Sequence, residues 1–71
     1  MSLGDAIAAL WRGEHVARSG WNGKGMWLGL ERPTPTSKMT EPFVYMKTAN
    51  GAFIPWLCSQ ADLLASDWVI V

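Results

Sequence analysis

The apolar positions of this 71-residue chain change period several times, and each change marks an element. Over residues 3–12, Leu3, Ile7, Leu10 and Trp11 recur at i, i+4, i+7 and i+8, which predicts a helix with all four on one face. Ser2 stands as its N-cap with Asp5 at the acidic third position, and Gly13 lies where a left-handed C-terminal residue is expected. The period then shortens to two. Residues 15–19 and 25–31 read as the arms of a hairpin, the second alternating Met26, Leu28 and Leu30 against Trp27, Gly29 and Glu31. Residues 43–49 alternate Val44, Met46 and Thr48 against Phe43, Tyr45 and Lys47, a third strand. Ala52 to Pro55 make a short fourth, ending or lying at an edge because Pro55 has no N–H to donate.

Ser59-Gln60-Ala61-Asp62 has the form of a capping box opening a second helix to about Ser66, and Asp67 to Val71 form an apolar fifth strand. Residues 32–38, with Pro33 and Pro35, predict an irregular surface loop too short to divide the chain. The sum is one α+β domain: a small antiparallel sheet of about five strands with two short helices. Leu28, Leu30, Leu64, Val69 and Ile70 are assigned to its core, and Trp11, Trp27 and Trp68 to the core or a subunit interface.

Two Asn-Gly pairs punctuate the strands. Asn22-Gly23 follows Trp21, and Asn50-Gly51 precedes Ile54-Pro55-Trp56. Asn-Gly accepts positive φ at both positions, so each predicts a type I′ turn closing a two-residue hairpin loop. A tryptophan beside such a turn offers a flat apolar face with one N–H at its edge. That combination suits a planar, polar-edged ligand such as a nucleotide.

Size and composition limit the alternatives. A domain this small hides only about 60% of its unfolded surface. Five Trp compensate in part, each able to bury roughly 150–250 Å². The single cysteine and single histidine exclude an internal disulfide and an ordinary zinc site, which leaves oligomerisation as the remaining support. Six basic and six acidic residues give no net charge and no basic stripe, so a nucleic-acid polymer is not the expected partner. The first basic residue, Arg12, follows the apolar stretch, opposite to a signal peptide, and no apolar run approaches a membrane span. With the lone cysteine, this predicts a soluble protein of a reducing compartment.

Catalytic signatures are missing. There is no Walker loop, no strand–GxGxxG–helix unit, no HExxH and no EF-hand loop. His15 and Cys58 are the sole pair for a thiol–imidazole dyad, with His15 read as a strand residue on a polar face and Cys58 as a small buried apolar residue. Asp5, Asp62 and Asp67 are too few, and too near element ends, for a two-metal site. No enzyme activity, cofactor or metal is expected.

Two stretches, Val16-Ala-Arg-Ser-Gly-Trp-Asn-Gly-Lys-Gly-Met26 and Tyr45 to Gly51 continuing through Ile54-Pro-Trp-Leu-Cys-Ser-Gln-Ala-Asp-Leu-Leu-Ala-Ser-Asp-Trp68, resemble the second type of Thoeris anti-defence protein. This is a family of small phage-encoded proteins. The likeness extends to the first helix and covers nearly the whole chain; the Pro-Thr-Pro loop is shorter than the family pattern.

The resemblance implies a sponge in the cytoplasm of an infected bacterium. It would bind a cyclic ADP-ribose-type immune signal intact and keep it from its effector. It also implies a homotetramer with pockets where subunits meet, and in some members cyclic dinucleotides at separate sites. Within that frame Trp21 is the first choice to stack on adenine, with Trp56 behind it. Asn50 and Asp62 would accept from ribose hydroxyls or an adenine edge. Arg18, Lys24 and the amides near Ser59 and Gln60 would donate to the pyrophosphate.

Plainer roles stand beside these. Trp21 caps the core, Asn50 serves its turn, Asp62 closes the capping box, and Arg18 and Lys24 are solvated charges. The rival functions are an enzyme that cleaves or modifies a cyclic nucleotide and a structural phage module that binds another protein.

Overall fold

Ser2 opens the first helix as its sequence predicts. Its hydroxyl accepts from the Asp5 N–H at 3.2 Å while the Asp5 carboxylate accepts from the Ser2 N–H at 3.1 Å, a complete capping box. In this computed structural model, which describes residues 1–22 and 24–71, α1 spans Leu3–Trp11 and the chain leaves it through Gly13 at φ +89°. Its buried face is Ala6, Ala9 and Leu10, with Leu3 and Ile7 packed alongside. Trp11, expected on that face, is 53% exposed; it sits in the last turn, its ring beneath the Arg32 guanidinium and its carbonyl accepting from the same side chain.

The strands are β1 (Val16–Arg18), β2 (Trp27–Glu31), β3 (Phe43–Lys47), β4 (Phe53–Pro55) and β5 (Trp68–Ile70), with α2 (Gln60–Leu64) between the last two. They form one sheet in the order β4-β3-β2-β1-β5, every neighbouring pair antiparallel. This is the predicted α+β arrangement. Pro55 ends the edge strand β4, where its missing N–H costs nothing. At the other edge, Met1 pairs with Trp68 through two bonds of 2.9 and 3.1 Å and covers β5.

The second Asn-Gly pair does not close a two-residue loop. Lys47 lies opposite Phe53, so the β3–β4 pairing centres on Asn50 and leaves residues 49–51 as a three-residue loop. The Gly51 N–H donates to the Thr48 carbonyl at 3.0 Å, and Gly51 alone takes positive φ, +89°. The Thr48 hydroxyl fixes this form by accepting from the Ala52 N–H and by bonding the Asn50 side chain. At the first pair Asn22 also lacks positive φ, and Gly23, on which the predicted turn depends, lies outside the described residues.

The first hairpin's arms are shorter than expected because β1 leaves its ladder early. The Ser19 N–H goes to the Asp67 carbonyl at 3.1 Å, the Gly20 N–H to the Asp67 carboxylate at 2.9 Å, and the Trp21 N–H back to Arg18 at 3.2 Å. With those donors taken, β1 is drawn towards the start of β5, and β2 begins only at Trp27.

Strand alternation turns Val16, Leu28, Leu30, Val44 and Met46 towards α1, where Trp68 completes the core. Both helices lie on that side. The opposite face carries a row of rings: His15 stacks on Trp27 at 3.8 Å, and Tyr45 meets both Trp27 and Phe53 edge-on. Tyr45 reaches over Gly29, where a Cβ would stand 2.5 Å from its hydroxyl. His15 thus precedes β1 and lies in an aromatic stack instead of on a polar strand face.

Several residues assigned to the core are exposed: Leu64 at 81%, Val69, Ile70 and Cys58. α2 stops at Leu64, before the expected Ser66, so it has too little length to bury a second face; β5 is the outermost strand.

Trp68 is the largest fully buried side chain, and its removal leaves a cavity under both helices. Trp68→Ala is expected to lower the unfolding free energy by about 3–5 kcal/mol, most of the stability of so small a domain. Denaturant titration followed by far-UV circular dichroism checks this; a loss below about 1 kcal/mol contradicts the assignment of Trp68 as the centre of the core.

Candidate ligand site

Arg18 ends β1 with its side chain on the helix side of the sheet, opposite Trp68 of β5. From there its Nη1 donates to Asp62 Oδ1 at 2.9 Å and its Nε to Asp67 Oδ1 at 2.7 Å. Asp62 is held in reach by Ser59, whose hydroxyl accepts the Asp62 N–H at 3.1 Å and so N-caps α2. The forward half of the predicted capping box is therefore made. In place of the return half, the Asp62 carboxylate turns to Arg18 and to the indole Nε1–H of Trp21, which donates to the same Oδ1 at 3.1 Å.

The indoles pack on one another. Trp21 meets Trp68 edge-on at 5.5 Å between centroids, and Trp56 meets it from another direction at 6.0 Å. The Trp68 Nε1–H donates to the Asp62 carbonyl at 3.1 Å. Trp21 is half-buried, so the core orients its ring without covering it. The result is an aromatic plane with a carboxylate fixed at its edge, and Asp62 Oδ2 has no protein partner among the described residues.

Of the residues expected to contact a ligand, Trp21, Arg18 and Asp62 come together, with Trp56 one ring behind. Ser59 acts through Asp62. Gln60 is exposed at the start of a helix of little more than one turn, which sums few peptide dipoles. Lys24 and Asn50 are exposed at the same end of the sheet, on the loops after β1 and β3, and touch none of the cluster. Lys47 ties these two loops by donating to the Gly25 carbonyl at 3.1 Å.

Asp67 joins the site without a signal in the sequence that marks it, since it reads only as the start of a strand. Lys47 lies with Tyr45 on the opposite face of the sheet and stays outside the cluster. A concavity of about 490 Å³ on the other face, lined by Glu31, Met39, Phe43, Tyr45, Phe53, Ile54 and Pro55, includes none of the anticipated residues.

The charges define what the cluster can do. One guanidinium lies between two carboxylates, leaving a net negative site that offers acceptors. Partial burial pushes the Asp62 carboxyl up, but hydrogen bonds from Arg18, Trp21 and Ser59 outweigh it and hold the group below its ordinary value. Asp67 is lowered chiefly by its bond to Arg18, with the Gly20 N–H adding to it. Arg18 is raised by Asp67 and then Asp62, so it stays charged. Desolvation, then the Asp62 charge, pushes the Cys58 thiol up, away from the reactive thiolate. No hydrogen bond joins Cys58 to His15 among the described residues, whose carboxylates, thiols and imidazole also form no metal-binding group.

Both site carboxylates are depressed in the folded state, so between folded and unfolded values the unfolded chain binds more protons and stability rises with pH. Their contribution is expected to be complete above the ordinary carboxylate value near 3.8 and lost as pH drops through the lower folded values. Denaturant midpoints measured from pH 7 to pH 2 check this. Asp62→Asn should flatten the acid limb, and an unchanged acid limb in that variant contradicts the linkage.

No helix among the described residues is long and apolar enough to cross a membrane. The whole chain, residues 1–71, matches the Thoeris anti-defense 2-like domain. It is 38% identical over 84 aligned positions to Thoeris anti-defense 2 of Bacillus phage SP01, covering 100% of this chain and 94% of that protein. The alignment is longer than this chain, so the relative carries residues that it lacks. With the same match running from the α1 cap to β5, the chain belongs to the Thoeris anti-defense 2 family.

Proposed function

We propose that this protein acts as a sponge in the cytoplasm of the infected bacterium, binding a cyclic ADP-ribose-type signal and holding it unchanged. The observation that carries this reading is the Trp21–Asp62 pair: a half-buried indole with a carboxylate locked at its edge by Arg18 and by the indole's own N–H. Adenine stacks on such a plane, and its amino group or a ribose hydroxyl donates to Asp62 Oδ2. The net negative charge beside Trp21 assigns the nucleoside half of the ligand there. The pyrophosphate belongs with Lys24, on the loop after β1, and with the remaining Nη2 of Arg18.

The protonation states support sequestration by leaving no general acid among the site's carboxylates. Asp62 and Asp67 are depressed and paired, so at neutral pH they accept and do not act as general acids. The Cys58 thiol is pushed away from its nucleophilic form. Closure over the ligand comes from a second copy of the chain. Phe53 on β4 and Val69 and Ile70 on β5 are exposed apolar residues at opposite edges of the sheet, so they offer surface for more than one contact between copies, and such contacts supply the stability a domain this size lacks. Asn50, remote from Trp21 within one chain, reaches the ligand from such a neighbour.

Isothermal titration with cyclic ADP-ribose isomers tests this reading, with cyclic dinucleotides titrated in parallel. Trp21→Ala is expected to weaken binding roughly 5- to 150-fold, the value of one base stack, and Asn50→Ala and Asp62→Ala to weaken it in the same direction. Light scattering should show the assembled mass unchanged in all three. Normal binding by all three folded variants contradicts the proposed pocket.

A further inference from the structure

We propose that Asp67 is the positioning residue of this site: it never meets the ligand, but it sets the turn that delivers Trp21 onto Asp62. The inference rests on the functional reading above for its effect on binding, and on geometry alone for its effect on Trp21.

The geometry is a closed circuit. Asp67 sits at the entry to β5 and receives from two directions, Arg18 Nε on Oδ1 at 2.7 Å and the Gly20 N–H on Oδ2 at 2.9 Å. Its carbonyl accepts the Ser19 N–H at 3.1 Å. Residues 18–20 are thus fastened to one residue, and the Trp21 N–H closes the turn on the Arg18 carbonyl at 3.2 Å. From that turn the indole reaches Asp62 Oδ1, the atom that also receives the second arm of Arg18.

Arg18, Trp21 and Asp62 are each bonded to the other two, and Asp67 is the residue that holds Ser19 and Gly20 by their backbone and Arg18 by its side chain. Charge-assisted bonds are the strong kind, and these are part-buried. The sequence accommodates the arrangement at Gly20, which has ordinary φ. A Cβ there would stand 2.7 Å from Asp67 Oδ2, so the requirement for glycine comes from the carboxylate's close approach and not from the backbone.

This gives Asp67 a role separable from folding. Ordering Trp21 before the ligand arrives removes an entropic cost from binding, the general effect of preorganisation. Without the circuit, the indole loses its fixed bond to Asp62 while Trp68 keeps the core closed.

The test uses the full chain labelled with nitrogen-15 and two variants, Asp67→Asn and Gly20→Ala, which break the circuit from opposite sides. Trp21→Phe identifies the Trp21 indole resonance. Both variants are expected to move that resonance and speed its exchange with solvent, leaving the Trp68 indole protected and the circular dichroism unchanged. Affinity for the cyclic ADP-ribose isomer that the unsubstituted protein binds best should fall roughly tenfold or more.

A Trp21 indole unmoved in a folded variant overturns the proposal, as does a displaced indole with undiminished affinity. Should Asp67→Asn fail to fold, Gly20→Ala alone decides between these outcomes. If the unsubstituted protein binds no isomer, the functional reading fails, and the indole resonance still decides whether Asp67 positions Trp21.

Discussion

The buried indole of Trp68 is the part on which the others depend. Its ring is the surface against which Trp21 and Trp56 are set edge-on, its Nε1–H holds the Asp62 carbonyl, and its backbone joins β1 on one side and Met1 on the other. A small domain has few ways to bury enough apolar area, and one large ring used from every side is an economical answer. The consequence is that core and site share an atom set. The same packing that closes α1 over the sheet orients the ring proposed to meet the ligand.

The ion pairs add direction to that packing. Arg18 comes from β1, Asp62 from α2 and Asp67 from the entry to β5, so their bonds tie β1 to two elements 44 and 49 residues further along the chain. An exposed pair would be worth little, but these share one guanidinium, are partly shielded and also satisfy backbone and indole donors. Their common effect on the two carboxylates is to keep them ionised. A site of fixed acceptors beside an aromatic plane is suited to recognition.

Local chemistry is the legible part of the sequence. Ser2, Asp5 and Gly13 bracket α1 because caps are decided within a few residues, and period-two alternation locates β2 and β3. What depends on distant partners is not legible. The arms of the first hairpin read as longer until Asp67 captures the donors of Ser19 and Gly20. The second Asn-Gly pair reads as a tight two-residue turn until the Thr48 hydroxyl claims the Ala52 N–H, adding one residue to the loop. Leu64, Val69 and Ile70 look like core by hydropathy, yet α2 ends too soon and β5 lies too far out to cover them. Trp21 and Asp62 can be nominated separately, but nothing in their spacing says that an indole N–H rests on that carboxylate.

A sponge holds its nucleotide and does not alter it, and that property can be read from the ligand itself. The purified protein is saturated with a cyclic ADP-ribose isomer, freed of what is unbound and denatured, and the released material is weighed by mass spectrometry. Release of the nucleotide at its original mass, in fixed proportion to the protein, is the predicted result. Release of a linearised, hydrolysed or otherwise altered product would contradict sequestration.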